Sequence, residues 1–343
     1  MFIEREIMEQ PKVLSDCLAA NRSAVQAIVG DLNGRDLKSV IIAARGTSDH
    51  AAIYAKYCME IIKGIPVALA APSVVTLYKR KMNYKDSLVI GISQSGEARD
   101  VKEVLEQANA QHACTIAVTN FIDSPLAQCA SHHLWCSAGR EKSVAATKTF
   151  MAEMYLLISL AAHWDRNEEL IRALEDLPGM LEKQLKTKDR IKEAVECYKF
   201  AEQITILARG LLYPVALEAA LKIQETNYLM AKAYSISDFY HGPLAMIERN
   251  TPVVILSGND AAKQDSLAAA GKLKEMGADI LLVTDTGDCL DTVDAAIQIP
   301  ASDPFLAPFH FAAAMQLFAF YLALRKGMNP DEPRNLKKVT ITR

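Results

Sequence analysis

Ser93-Gln94-Ser95-Gly96-Glu97 stands where an apolar, strand-like run, Val89–Ile92, gives way to a helical pattern. Two hydroxyls, a carboxamide and the N–H groups of a helix start would make a cradle for an anion such as phosphate, and Gly96 would let the backbone come close to it. The same residues also suit an ordinary helix cap. A second run of this kind favours the cradle: Ser39–Ala44 is apolar and empties into Arg45-Gly46-Thr47-Ser48-Asp49-His50. In an α/β domain, two hydroxyl-bearing strand ends can meet at the carboxyl edge of a parallel sheet, where such folds bind ligands. Lys222 and Glu225 lie three apart on a helical segment and share a face, as a solvated ion pair or as acid–base groups. His241, in Tyr-His-Gly-Pro, falls on a tight turn from which an imidazole can reach a ligand. A carboxylate and an imidazole are the groups that most often move protons in general acid–base chemistry.

The elements that carry these residues come in two copies. Ala44-Arg45-Gly46 recurs as Ala208-Arg209-Gly210, 164 residues on, with an apolar run before and an Ala-rich helix after. Val89–Ser93 pairs with Val254–Gly258, and Val118–Asn120 with Val283–Asp285. Each copy reads strand, helix, strand, helix, strand, with the continuous Val/Ile/Leu runs of parallel strands covered on both faces, so two tandem doubly wound α/β domains are expected. The expected boundaries are a helical lead-in over 1–37, a first domain over 38–164, a linking helix over 165–197, a second domain over 198–326 and a tail over 327–343. The copies part where chemistry is expected: Leu211-Leu212 stands for Thr47-Ser48, and Gly258-Asn259-Asp260 for Ser93-Gln94-Ser95. The first copy would therefore hold the phosphate, while Lys222, Glu225 and His241 in the second supply acids and bases.

Composition narrows the partners. A net charge of −3 and the lack of a basic aromatic stripe argue against nucleic acid. The first eleven residues are too acidic for a signal peptide, and no uninterrupted apolar run is long enough for a bilayer span, so a cytoplasmic protein without a membrane partner is expected. The seven scattered cysteines read as buried reduced thiols. His132-His133, beside Cys129 and Cys136, is only a hint of zinc, and the sequence spacing supplies no ligand set. No metal, nucleotide or redox cofactor is expected.

Arg45-Gly-Thr-Ser-Asp-His, Ser93-Gln-Ser-Gly-Glu, Val144-Ala-Ala-Thr-Lys148, Ala216-Leu-Glu-Ala-Ala-Leu-Lys-Ile-Gln-Glu225, His241-Gly-Pro-Leu and Asp331-Glu-Pro-Arg-Asn-Leu-Lys-Lys338 follow one another along nearly the whole chain. In that order they resemble the sugar isomerase (SIS) domains of phosphosugar enzymes, a group that includes the isomerase half of glucosamine-6-phosphate synthase and the stand-alone glucosamine-6-phosphate deaminases. The resemblance implies paired flavodoxin-like SIS domains and a phosphosugar substrate. It assigns phosphate binding to Thr47, Ser48, Ser93, Gln94 and Ser95, and sugar contacts to the backbone around Val144 and Ala146. Glu225 would shuttle the C1/C2 proton, His241 would open the ring, Lys222 would lie beside them, and Lys338 would reach the sugar carbonyl. It also implies a homodimer with shared active sites, His241 acting in the neighbour's.

The chain departs from the synthase pattern at Ala98 and Ala146, each of which removes a hydroxyl from the expected pocket. Phe2 stands where a glutaminase nucleophile would be, and no glutaminase segment precedes residue 40. Deamination of glucosamine 6-phosphate to fructose 6-phosphate and ammonia is accordingly the expected reaction. The alternatives are a fructosamine 6-phosphate deglycase, which would use the same Glu and His, and a non-catalytic sugar-phosphate sensor, against which the chain shows no helix-turn-helix segment.

Overall fold

The structure is a computed structural model, described over residues 1–288 and 290–338, the side chain of Asp291 excepted. It contains two five-stranded sheets, and every strand pairing within them is parallel. By internal packing the chain divides into two compact units. One comprises residues 9–141 and 148–178 with Lys337 and Lys338; the other comprises residues 1–8, 142–147 and 179–336.

Helices α1 (Phe2–Met8) and α2 (Gln10–Asn33) precede the first sheet. The sheet region then runs β1 (Ser39–Ala43), α3 (Thr47–Lys63), β2 (Val67–Leu69), α4 (Pro72–Thr76), β3 (Ser87–Ile92), α5 (Arg99–Asn109), β4 (Cys114–Thr119), α6 (Pro125–Cys129), β5 (His132–Trp135) and α7 (Lys148–Asp165). Helices α8 (Glu168–Leu185) and α9 (Asp189–Ala194) follow, so the expected single linking helix is broken. The second series is β6 (Gln203–Ala208), α10 (Tyr213–Asn227), β7 (Met230–Ser235), α11 (Ile236–Phe239), β8 (Pro252–Ser257), α12 (Lys263–Glu275), β9 (Asp279–Thr284), β10 (Ala295–Gln298) and α13 (Ala307–Arg325).

The orders β2-β1-β3-β4-β5 and β7-β6-β8-β9-β10 are the same order twice, the doubly wound 2-1-3-4-5 arrangement. Central strands β3 and β4 are buried at every residue, which is why they read as unbroken apolar runs. The edge strands escape that pattern: β2 has three residues, and β5 is His-His-Leu-Trp, so each copy has five strands where the sequence pattern shows three. Val101, Val104, Leu105 and Ala108 of α5 close one face of the first sheet over Val89 and Ala117. Phe239, Ala269 and Leu273 do the same over Val253, Ile255 and Ile280 in the second.

Helix α13 is long and apolar enough, by length and composition, to cross a membrane, but its residues 307–323 are all buried in the fold. Among the cysteines described, Cys17, Cys58, Cys114 and Cys136 are buried, Cys129 is partly buried and Cys197 is exposed, and all are free thiols. Cys289 and the alternating close Val339–Arg343 lie outside the described residues.

Candidate active site

Strands β1 and β3 are neighbours, paired from Ser39↔Ser87 to Ala43↔Gly91, and the sheet order turns at this pair because β1 crosses to β2 while β3 crosses to β4. A crevice opens at such a switch point at the carboxyl edge. Thr47-Ser48 and Ser93-Gln94-Ser95 leave the sheet there. Gly46, at φ 57° and ψ −131°, turns the chain into α3, and its lack of a side chain leaves this helix without a side-chain cap. The positive end of a 17-residue helix thus begins at Thr47.

The second strand end differs from expectation. Residues Ser93–Ala98 form an irregular loop, and α5 starts only at Arg99, so the Ser-Gln-Ser-Gly run is not itself a helix start. Ser93 Oγ accepts from Gly96 N (3.2 Å) and Ser95 Oγ accepts from Glu97 N (3.2 Å). A hydroxyl that accepts from the backbone keeps its own proton to donate, and an anion needs such donors. Gly96, at φ +68°, is required for a reason other than approach to an anion: a Cβ there would lie 2.1 Å from Ser124 Oγ.

Ser48 is turned inward. Its Oγ donates to Glu153 Oε1 of α7 at 2.9 Å, and both residues are buried. Arg45 bonds Asp100 Oδ2 (2.8 Å), whose other oxygen accepts from Val101 N, so this arginine fastens the β1 exit to the start of α5. Burial pushes the Asp49 carboxyl up, with His50 and Arg45 pulling the other way. Lys148 is a buried partner of Glu9 (2.8 Å) and not a surface lysine. Lys338 Nζ lies 2.6 Å from Glu141 Oε2, a buried carboxylate that also accepts from Thr149 N and Oγ1.

In the other unit Lys222 and Glu225 are indeed paired, Nζ to Oε2 at 2.6 Å, with Glu218 Oε1 at 3.2 Å from the same amine. The pair is not solvated: the Lys222 and Glu218 side chains are each 2% exposed, while Glu225 keeps 20%. Burial works against the charge on Lys222, but the two carboxylates outweigh it and hold the ammonium above its ordinary range. Glu225 is therefore a carboxylate clamped at one oxygen and partly open to a ligand. His241 is exposed on the turn after α11, its N–H bonded to Asp238 O (3.0 Å). The loop carrying Val144 and Ala146 is pinned by buried Glu6, which accepts from Lys142 N, Ser143 N and Ser143 Oγ.

The crevice position of the second sheet is filled. Leu212 Cδ1 lies 3.2 Å from the point where a Cβ on Gly258 would stand, and Phe311 closes in at 3.9 Å. Leucine in place of a hydroxyl thus plugs the switch point between β6 and β8. Reading the sequence missed Glu218, although its i,i+4 spacing to Lys222 was visible; it also missed Glu153, Glu141 and Glu6, for which no local signal exists.

The pattern of the SIS domain matches residues 35–163 and 198–326. The chain is 35% identical over 344 residues to glutamine–fructose-6-phosphate aminotransferase [isomerizing] of Aquifex aeolicus, covering 99% of this chain and 57% of that protein. It thus spans little more than half the length of this relative. Among solved structures, a putative phosphosugar isomerase from Silicibacter pomeroyi is 31% identical with a TM-score of 0.88, covering 96% of this chain and 100% of that one. Glucosamine-6-phosphate deaminase from Thermotoga maritima, 20% identical with a TM-score of 0.80, covers 100% of each chain and shares the fold.

Proposed function

Since the chain belongs to the SIS domain family, with two copies of the domain in one polypeptide, we propose that it deaminates glucosamine 6-phosphate to fructose 6-phosphate and ammonia. The observation that carries this reading is the asymmetry of the two switch points: donor hydroxyls at the first, a leucine plug at the second, and a clamped carboxylate on the helix that follows the plug. In support, its relatives are named as an isomerizing fructose-6-phosphate aminotransferase and a phosphosugar isomerase. In this reading residues 38–164 and 198–326 are the two domains, 1–37 leads in, 165–197 links them and 327–343 is the tail.

The first copy holds the phosphate through Ser93, Gln94, Ser95, Thr47 and the start of α3, with Ser48 shaping the cradle through Glu153. His241 assists ring opening. Glu225 removes the C2 proton and returns it at C1, and the adjacent Lys222 ammonium keeps its carboxylate charge compensated. The product is a ketose imine; water adds to its carbon and the C–N bond breaks, giving fructose 6-phosphate and ammonia. Lys338 assists at the carbonyl carbon once it leaves Glu141, and backbone around Val144 and Ala146 receives the sugar hydroxyls. A homodimer with shared sites is part of the proposal.

Purified protein should release ammonia from glucosamine 6-phosphate and not from its N-acetyl form. With fructose 6-phosphate and ammonium it should form the amino sugar in reverse. Release of an amino acid from a fructosamine 6-phosphate, without ammonia from glucosamine 6-phosphate, would replace this reading with a deglycase.

A further inference from the structure

At the amino edge of the first sheet, opposite the cradle, three side chains that the sequence scatters come together. Asp31 is in the last turn of α2, Cys114 opens β4 and His132 opens β5. His132 Nε2 lies 3.0 Å from Asp31 Oδ2, and Cys114 Sγ lies 3.5 Å from the same oxygen. The three donor atoms all fall within 4.8 Å of one another. With bonds of about 2.0–2.1 Å to N and O and about 2.3 Å to S, a tetrahedral zinc ion sets its ligand atoms roughly 3.2–3.6 Å apart. The two spacings from Asp31 Oδ2 are close to those edges.

We propose that Asp31, Cys114 and His132 form a zinc site that staples the end of α2 to β4 and β5. One carboxylate oxygen here faces more donors than it has lone pairs: His132 Nε2, Cys114 Sγ and Arg35 Nη2 (3.2 Å) all approach Oδ2. A cation at the centre of the three ligands removes that crowding, since it replaces the thiol proton and lets imidazole and carboxylate both act as donors to the metal. Arg35 stays on the other oxygen through Nε, at 2.8 Å, and orients the carboxylate. The bond from Arg35, with that from His132, holds Asp31 down at about 2, so the ligand is anionic at neutral pH. Burial and the nearby Asp31 charge push the Cys114 thiol up to about 12; zinc overcomes this by displacing the proton outright, so binding releases one proton. Mixed N, O and S donors favour zinc over magnesium or calcium. Cys114 is fully buried, whereas the Asp31 and His132 side chains are 30% and 23% exposed, so the fourth position opens to water. The site is independent of the catalytic reading.

The test uses the full chain stripped with a chelator and titrated with Co²⁺, then Zn²⁺. One equivalent of cobalt should give a thiolate-to-cobalt charge-transfer band and tetrahedral visible bands, zinc should bleach both, and the melting temperature should rise with zinc. Cys114→Ala and His132→Asn, each checked for folding by circular dichroism, should lose the charge-transfer band or weaken cobalt binding at least tenfold. A folded wild-type chain without the band overturns the proposal. A band that survives in Cys114→Ala does the same, because another thiol would then hold the metal.

Discussion

Lys222→Met is the sharpest probe of the acid–base cluster. The substitution keeps most of the length and the apolar stem but leaves Glu218 and Glu225 on one largely buried helix face with no cation between them, where both now sit within 3.2 Å of one ammonium. Removing one partner from a buried ion pair costs about 3–5 kcal/mol, which for a unit of this size lowers Tm by roughly 6–20 °C. In the wild type the Lys222 amine is held above its unfolded value, so its contribution is complete below an ordinary lysine's range and is lost only as pH rises through the folded value. Neutral pH therefore lies on the plateau. In the variant the deficit should shrink toward about pH 4–5, where carboxyls take up protons and the repulsion ends. Adding Glu218→Gln should return part of the loss at neutral pH. Thermal melts of the three proteins across that pH range measure all of this. A Lys222→Met protein as stable as wild type at pH 7, or one whose deficit ignores pH, would refute the claim that the amine compensates two buried acids.

The two serines of the cradle should behave differently. Ser48→Ala takes a hydrogen bond from buried Glu153 and should lower stability by about 1–3 kcal/mol in urea melts, whereas Ser95→Ala should leave stability nearly unchanged and raise KM for the phosphosugar. Glu225→Gln should reduce kcat by about two to four orders of magnitude with binding largely kept, and wild-type turnover in deuterated water should label C1 of the product; near-normal turnover would return Glu225 to a structural ion pair. Mixing His241→Ala with Glu225→Gln protein should restore activity if the sites are shared between subunits, and no recovery after verified subunit exchange would show that each chain builds its own.

What could be read from the sequence was what is local. Central strands announce themselves because burial on both faces favours continuous apolar runs, so Val89–Ile92 was visible, and its match to Val254–Gly258 supported the repeat first seen at Ala44–Gly46 and Ala208–Gly210. Edges as short as Val67–Leu69, or as mixed as His132–Trp135, carry no such signature. The Lys222–Glu225 contact was legible from spacing, but its burial was not, since α10 gives no hint of which face is covered until its neighbours are in place. The partner of Ser48, Glu153, stands 105 residues away, and the Lys338–Glu141 pair spans 197, so neither contact has a local signal. The zinc ligands fail the spacing test for the same reason.

The helix Phe2–Met8 belongs to the unit built around the second sheet, and the N–H groups of Phe2 and Ile3 donate to the carboxylate of Asp331, 329 and 328 residues away. Helix α1 also packs on α13. During synthesis, then, residues 1–8 emerge long before their partners exist, while residues 9–178 supply most of the other unit and can begin to pack as they appear. The closing of α1 onto α13 is a contact of very high sequence separation, whose loop-closure entropy must be met before it yields any stabilisation. A chain released before residue 307 would have to hold its second sheet without α13, and so would present to chaperones the apolar surface that this buried helix covers in the finished protein.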